Sequence, residues 1–238
     1  MRSAEFPGAD EVHVRFARLD REECEQITLE RHLCAEELAR ANRLKFELAR
    51  SRFVAGRAFL RKTLASYLGV DAEEILLGQG EWGKPHLAQV KGSAPLCFNL
   101  SHAAGLAVLA VSLDREIGID MERMTKDLPY RDIARMFFSP REKGELFALP
   151  QGEQLAAFYR CWSRKEAYLK GCGRGFSESS DIFDVSLLPG HPPALIEHRQ
   201  SPGEPARWSL IDIPVPHGFC AALAVEGGPP VIRSFPLD

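Results

Sequence analysis

No stretch of the 238-residue chain is apolar enough to cross a bilayer; its strongest run, Leu106–Val111, is far short of the roughly 20 residues a spanning helix needs. The opening residues, MRSAEFPGADEVHVRF, lack the apolar core of a secretory signal. Cys24, Cys34, Cys97, Cys161, Cys172 and Cys220 include no Cys-x-x-Cys pair, which speaks against a zinc site or a disulfide framework and for reduced thiols. An excess of one charge is missing too. Lys and Arg number 30 against 33 Asp and Glu, a net charge of −3, so bulk nucleic-acid binding is not expected. These absences predict a soluble, cytoplasmic protein with neither membrane nor nucleic acid as a partner. With 45% hydrophobic and 26% charged residues the composition is that of an ordinary globular protein, sized for one large domain or two of roughly 100–120 residues.

Proline is absent from Glu22 to Leu68, where Leu33 and Leu38, then Leu60, Leu64 and Leu68, recur at helical spacing before Gly69 supplies a stop. This helical stretch is basic, with nine Lys and Arg against three Glu between Arg31 and Lys62. Alternation predicts a first strand over Val12–Leu19, and later ones over Cys97–Ser101, Leu106–Leu113 and Glu116–Glu122. Gly78, Gly80, Gly83 and Pro85 make Ile75–Leu87 a turn-rich ribbon. A helix is expected over Arg131–Phe138, followed by another that starts at the capping box Ser139-Pro140-x-Glu142. A long helix follows over Glu153–Gly171, with Leu155, Phe158, Tyr159, Trp162 and Leu169 on its buried face. Short strands are expected at Asp184–Leu188, Arg207–Ile213 and Phe219–Val225. One internal echo, His102-Ala-Ala-Gly-Leu-Ala-Val-Leu-Ala-Val against His217-Gly-Phe-Cys-Ala-Ala-Leu-Ala-Val, suits a chain built as two similar halves with a cleft between them.

Three constellations carry chemistry. In IGIDMER, Asp120 and Glu122 project from one strand face roughly 7 Å apart, while Ile117, Ile119 and Met121 turn into the core. Such a pair of acids either grips a hard cation such as Mg²⁺ or is a solvated strand end. In FYRCWSRKEAYLKGCGRGF, helical spacing brings Trp162, Glu166 and Lys170 together. Glu166 and Lys170 suit a simple surface ion pair; equally, Glu166 could reach the Asp120/Glu122 strand as a third metal ligand. The glycines of Gly171-Cys-Gly-Arg-Gly175 exceed what one helix end requires and would let a backbone or substrate come close. In the third, Pro85 holds Lys84 extended, and Ser101 and His102 end a strand in a small-residue turn fit for a phosphate or ring contact. Arg40, Arg43, Arg50, Arg52, Arg57 and Arg61 are a solvated helix face or, beside a Mg²⁺ site, the guanidiniums for a ligand with several phosphates. Gly78–Gly83 spells GxGxxG and Gly78–Lys84 spells GxxxxGK, but Pro85 stands where a P-loop needs Ser or Thr and no helix pattern follows.

The order of GKP (Gly83–Pro85), FNLSH (Phe98–His102), IGIDMER (Ile117–Arg123), RMFFSPREKGEL (Arg135–Leu146) and FYRCWSRKEAYLKGCGRGF (Phe158–Phe176) resembles the 4′-phosphopantetheinyl transferases of the double-length, surfactin-type class. The resemblance covers about residues 80–180. It implies an α+β fold of two pseudo-duplicated α/β halves, each a small antiparallel sheet packed with helices. The N-terminal half would span 1–115 with the nucleotide contacts, the C-terminal half 116–238 with the metal-binding acids, and the active site would lie at their junction. The implied reaction moves the phosphopantetheine arm of coenzyme A to a serine of an apo acyl, peptidyl or polyketide carrier protein, with Mg²⁺, releasing adenosine 3′,5′-bisphosphate. Asp120, Glu122 and Glu166 then match the metal ligands. Glu166 and Lys170 are the catalytic pair, with Lys170 on the pyrophosphate. Arg40, Arg52, Lys84, Ser101 and His102, together with Asp120 and Lys170, would contact coenzyme A. Glu142 matches an acid near the family's site, and its capping box explains it equally well. A chain carrying both halves is expected to work as a monomer. Two other readings share these residues: a Mg²⁺-dependent hydrolase of coenzyme A or a related dinucleotide, and a non-catalytic carrier-binding protein.

Overall fold

A computed structural model describes residues 5–88, 95–173 and 179–236. The first strand forms as the alternation predicts, β1 (Glu11–Arg18). The long helical stretch is not one helix but three: α1 (Glu23–Glu30), α2 (Ala35–Asn42) and α3 (Glu47–Leu68). Local capping marks the starts of the first two. Glu25 accepts the backbone N–H of Glu22, and Glu37 accepts that of Cys34, so each carboxylate starts a new helix. Gly69, at φ 68°, closes α3 as expected. A short hairpin, β2 (Leu77–Gln79) and β3 (Pro85–Leu87), leads to β4 (Leu96–Ala103), β5 (Leu106–Leu113) and β6 (Ile117–Arg123). Then come α4 (Tyr130–Phe137), α5 (Pro140–Ala148) and α6 (Gln151–Cys172). The rest is β7 (Phe183–Val185), β8 (Leu195–His198), α7 (Glu204–Arg207), β9 (Trp208–Asp212), β10 (Phe219–Glu226) and β11 (Val231–Phe235).

Two sheets stack face to face. The first has the order β11-β1-β5-β4 and the second β6-β10-β9. Between them lie Val12, Val14, Val108 and Ala110 from the first and Ile117, Ile119, Met121, Leu223 and Val225 from the second. The outer face of the first sheet carries α3, through Leu60, Leu64 and Tyr67 against Phe98, Leu109 and Val111. The outer face of the second carries α6, through Phe158, Ala167 and Tyr168 against Leu210, Ala222 and Ala224. The α+β class is thus as expected. The sequence echo falls on β5 and β10, each flanked by two neighbours and preceded by a left-handed glycine, Gly105 (φ 82°) and Gly218 (φ 86°). Two strands, β8 and β11, lie outside those expected from the sequence. Val231–Phe235 pairs parallel to β1, so the chain's last strand joins the first sheet. No helix among the described residues is long and apolar enough to cross a membrane.

The basic stretch needs a correction. Arg61 is no solvated residue: it is buried, donates to Glu37 at 2.5 Å, and reaches the carbonyls of Ala72 and Ile75. Arg57 pairs with the same Glu37, and Arg50 with Glu30 at 2.6 Å. These charges hold α1 and α2 to α3. Period-based reading assigns them to water because their acid partners are 20 or more residues away.

Candidate active site

On β6 the alternation places Gly118, Asp120 and Glu122 on the face toward α6. A Cβ on Gly118 would lie 2.1 Å from the Ala167 carbonyl and 2.2 Å from the Gly171 nitrogen, so only glycine lets the α6 backbone lie directly on the strand. Helical spacing then brings Trp162, Glu166 and Lys170 past the two acids.

The contacts are specific. The Lys170 ammonium donates to Asp120 Oδ1 at 2.5 Å and to Ser101 Oγ at 3.2 Å. Ser101 Oγ in turn donates to Asp120 Oδ1 at 3.3 Å and accepts the Met121 N–H at 3.2 Å. Two residues earlier on β4, Asn99 Oδ1 accepts the Ile119 N–H at 2.9 Å. Asn99 and Ser101 therefore bolt the first sheet to the acid-bearing strand. Trp162 Nε1 donates to Glu122 Oε1 at 3.1 Å, and its ring stacks on Phe158. Neither Asn99 nor this role of Trp162 was read from the sequence. The signal for Asn99 was its position two residues before Ser101, hence on the same strand face.

Three carboxylates here answer to one ammonium. Asp120 is 3% exposed, and its Oδ2 is buried with no hydrogen-bond partner among the described residues. Burial, and then the charges of Asp120 and Glu122, push the Glu166 carboxyl up to about 7, with Lys170 opposing. Burial, then Asp120, also raises Glu122, against the pull of Trp162 and Lys170. An unpartnered buried oxygen and two carboxyls that resist ionisation describe a site short of positive charge. Oxygen donors of this kind suit a hard divalent ion. As the side chains stand, no three His, Cys, Asp or Glu among the described residues share ligating geometry, and the cation against Asp120 is Lys170 itself.

The other expected contacts separate into a near and a far group. His102 follows Ser101 on β4; desolvation and then the charge of Lys170, with Arg52 beyond it, hold its imidazole below the ordinary value. Arg52 is clamped on Asp20 by two bonds, at 2.6 and 3.1 Å, against the Gly105 turn. Lys84 lies toward the start of β6, donating to Glu116 at 2.7 Å and to the Gly171 carbonyl at 2.8 Å, which ties the β2–β3 hairpin to the end of α6. Arg40 is exposed on α2 over the Phe53 ring and contacts none of the three acids. Arg174, Gly175 and Phe176 fall outside the described residues.

Glu142 takes the capping role. It is fully buried, accepts the Ser139 and Val185 N–H groups, and pairs with Lys165 at 2.7 Å. Lys165 also donates to the Phe183 carbonyl. The lysine next to Glu166 therefore anchors α6 from behind and stays out of the acid cluster.

A layered α+β fold that buries acids between a strand and a helix is the setting of an enzyme site. Two family descriptions match the chain: "4'-phosphopantetheinyl transferase, N-terminal" over residues 20–114 and "4'-phosphopantetheinyl transferase superfamily" over residues 116–224. The 4'-phosphopantetheinyl transferase HetI of Nostoc is 40% identical over 220 residues, covering 92% of this chain and 89% of the relative. A putative 4'-phosphopantetheinyl transferase of Synechocystis is 30% identical, over 77% and 72%. The 4'-phosphopantetheinyl transferase Sfp of Bacillus subtilis is 33% identical, over 57% and 58%. The chain belongs to the 4′-phosphopantetheinyl transferases and is an enzyme of that class.

Proposed function

We propose that the enzyme moves the 4′-phosphopantetheine arm of coenzyme A onto a serine of an apo acyl, peptidyl or polyketide carrier protein, with Mg²⁺ required and adenosine 3′,5′-bisphosphate released. The observation that carries this reading is the crowding of buried Asp120 and half-buried Glu122 and Glu166 around one ammonium, with Asp120 Oδ2 left unpartnered among the described residues. Burying like charges is costly unless function needs them. A diphosphate bridge brought there by a divalent ion is such a need.

Asp120, Glu122 and Glu166 would hold the ion. Bound Mg²⁺ would offset the pyrophosphate charge and stabilise the departing phosphate. Lys170, already aimed at Ser101 and Asp120, would meet the pyrophosphate oxygens. Ser101, His102 and Arg52 line the neighbouring rim for the nucleotide phosphates, with Lys84 at the start of β6 and Arg40 further out. In the transfer, the serine oxygen bonds to the phosphorus bearing the arm, and the bridge to the adenosine phosphate breaks. Glu166, with its raised carboxyl, would take the serine proton directly or through water.

We further propose that the working division is 1–115 and 116–238 with the site at the junction, and that the chain acts as a monomer in the cytoplasm. The contacts of Ser101 with Asp120 and of Asn99 with Ile119 support a site built from both sides of that division.

The test is intact-mass spectrometry of a panel of apo-carriers incubated with the enzyme, coenzyme A and Mg²⁺. Gain of one phosphopantetheine arm, abolished by a chelator, is the expected result. Breakdown of coenzyme A without any carrier would instead establish a hydrolase, and a carrier retained unmodified would establish a binding protein.

A further inference from the structure

A cavity of about 310 Å³ lies between α3, β1 and the final strand, on the opposite side of the first sheet from β4 and the hairpin that bears Lys84. Arg15, Arg18, Arg21 and Lys62 surround it, over an apolar floor of Leu29, Ala55 and Phe59. Arg21, Leu29 and Lys62 also line an adjoining cavity of about 330 Å³, so a ligand could extend past Lys62.

The charges here differ from those on the rest of α3. Arg50, Arg52, Arg57 and Arg61 each have a carboxylate partner. The Lys62 and Arg18 side chains have no hydrogen bond or ion pair among the described residues. Arg15 donates to the Tyr67 hydroxyl at 3.0 Å and lies 3.8 Å over the Phe235 ring, but has no carboxylate partner among those residues. Arg21 is already engaged, pairing with Glu25 at 3.8 Å and donating its Nε to the Arg18 carbonyl at 3.1 Å, and is left out of the count. Like charges around so small a volume repel, and among the described residues no carboxylate lies within ion-pair distance of Arg15, Arg18 or Lys62. An anion would. Three unanswered cations match a doubly charged phosphate monoester better than a singly charged carboxylate, and guanidiniums bind phosphate oxygens in pairs. The apolar floor calls for a flat or aliphatic body attached to that phosphate, and the volume is that of a small-molecule pocket.

We propose that this cavity is a second ligand site, separate from the acid cluster, which takes a small phosphate monoester with its apolar body on Phe59 and Leu29 and its phosphate among Arg15, Arg18 and Lys62. The probe is phenyl phosphate, titrated at low salt by nuclear magnetic resonance against inorganic phosphate and phenol. Phenyl phosphate is expected to bind saturably and about tenfold more tightly than either control. Lys62→Glu and Arg18→Glu, both exposed positions, should each weaken it about tenfold while leaving the circular dichroism spectrum and carrier modification unchanged. Lys170→Ala should leave phenyl phosphate binding intact, which keeps this outcome independent of the proposed reaction. Absence of saturable binding, equal binding of phenol, or loss in Lys170→Ala but not in Lys62→Glu overturns the site.

Discussion

Lys170 holds its ammonium 2.5 Å from Asp120 Oδ1, while the other oxygen of the same carboxylate is buried with no bonding partner among the described residues. One partner therefore serves half of a group that sits among two further acids. The deficit is one of charge, and it sets the first expectation. Asp120→Ala and Glu166→Ala should each lower carrier modification by more than about a thousandfold, because each removes an oxygen donor from the cation-seeking cluster. Circular dichroism should show both variants folded. Substantial arm transfer by either would refute the assignment of the cluster to the chemistry.

Glu166 links the site to pH. Its folded carboxyl titrates at about 7, against an ordinary value of 4.5, so the native protein binds more protons than the unfolded chain between those values. The sign follows: this contribution to stability is fully present below 4.5 and is lost as pH rises through 7. In chelator-treated protein, urea denaturation should show wild type losing stability from pH 5 to pH 8 relative to Glu166→Gln. The gap should reach about 1–3 kcal/mol at pH 8. Parallel profiles would mean that the acids do not strain the metal-free fold. Added Mg²⁺ should restore wild type at pH 8 and do little for the variant.

Lys84 is a joint as well as a charge. Its bonds to Glu116 and the Gly171 carbonyl fix the hairpin against the end of α6. Lys84→Ala should raise the KM for coenzyme A about tenfold with kcat within about twofold, the pattern of a lost binding contact. An unchanged KM would leave Lys84 as a tie between elements only.

Gly118 tests whether the crossing itself matters. A methyl there meets two backbone atoms of α6, neither of which can swing aside as a side chain does. Gly118→Ala should destabilise the protein by about 3 kcal/mol or more and abolish carrier modification even in the folded fraction. Gly144→Ala on α5, where nothing stands within 4 Å of the new methyl, should be neutral or stabilise by up to about 1 kcal/mol. Equal stability of the two variants would show that the strand and helix have room to part.

Much of the site was legible because it rests on local periods. Alternation put Asp120 and Glu122 on one face of β6, and helical spacing aligned Trp162, Glu166 and Lys170. The Ser139–Glu142 capping box was likewise a three-residue signal. What stayed hidden depends on partners distant in sequence. Nothing near Arg61 announces that Glu37 waits 24 residues away, nor does anything near Glu142 announce Lys165. The cut between α1 and α2 comes with a single backbone cap, Glu37 on the Cys34 N–H, without the proline or glycine that usually marks a boundary. Val231–Phe235 was missed because an edge strand exposed at Val231, Arg233 and Ser234 shows no inward-facing apolar alternation.

That edge strand bears on dissection of the enzyme. Since β11 covers Glu11–Arg15 of β1, a truncated product stopping at residue 115 would bare a row of amides and carbonyls along its oldest strand. Such a remnant is a template for sticking to its own kind. A synthetic peptide of Val231–Phe235, supplied in trans, is the natural plaster for it.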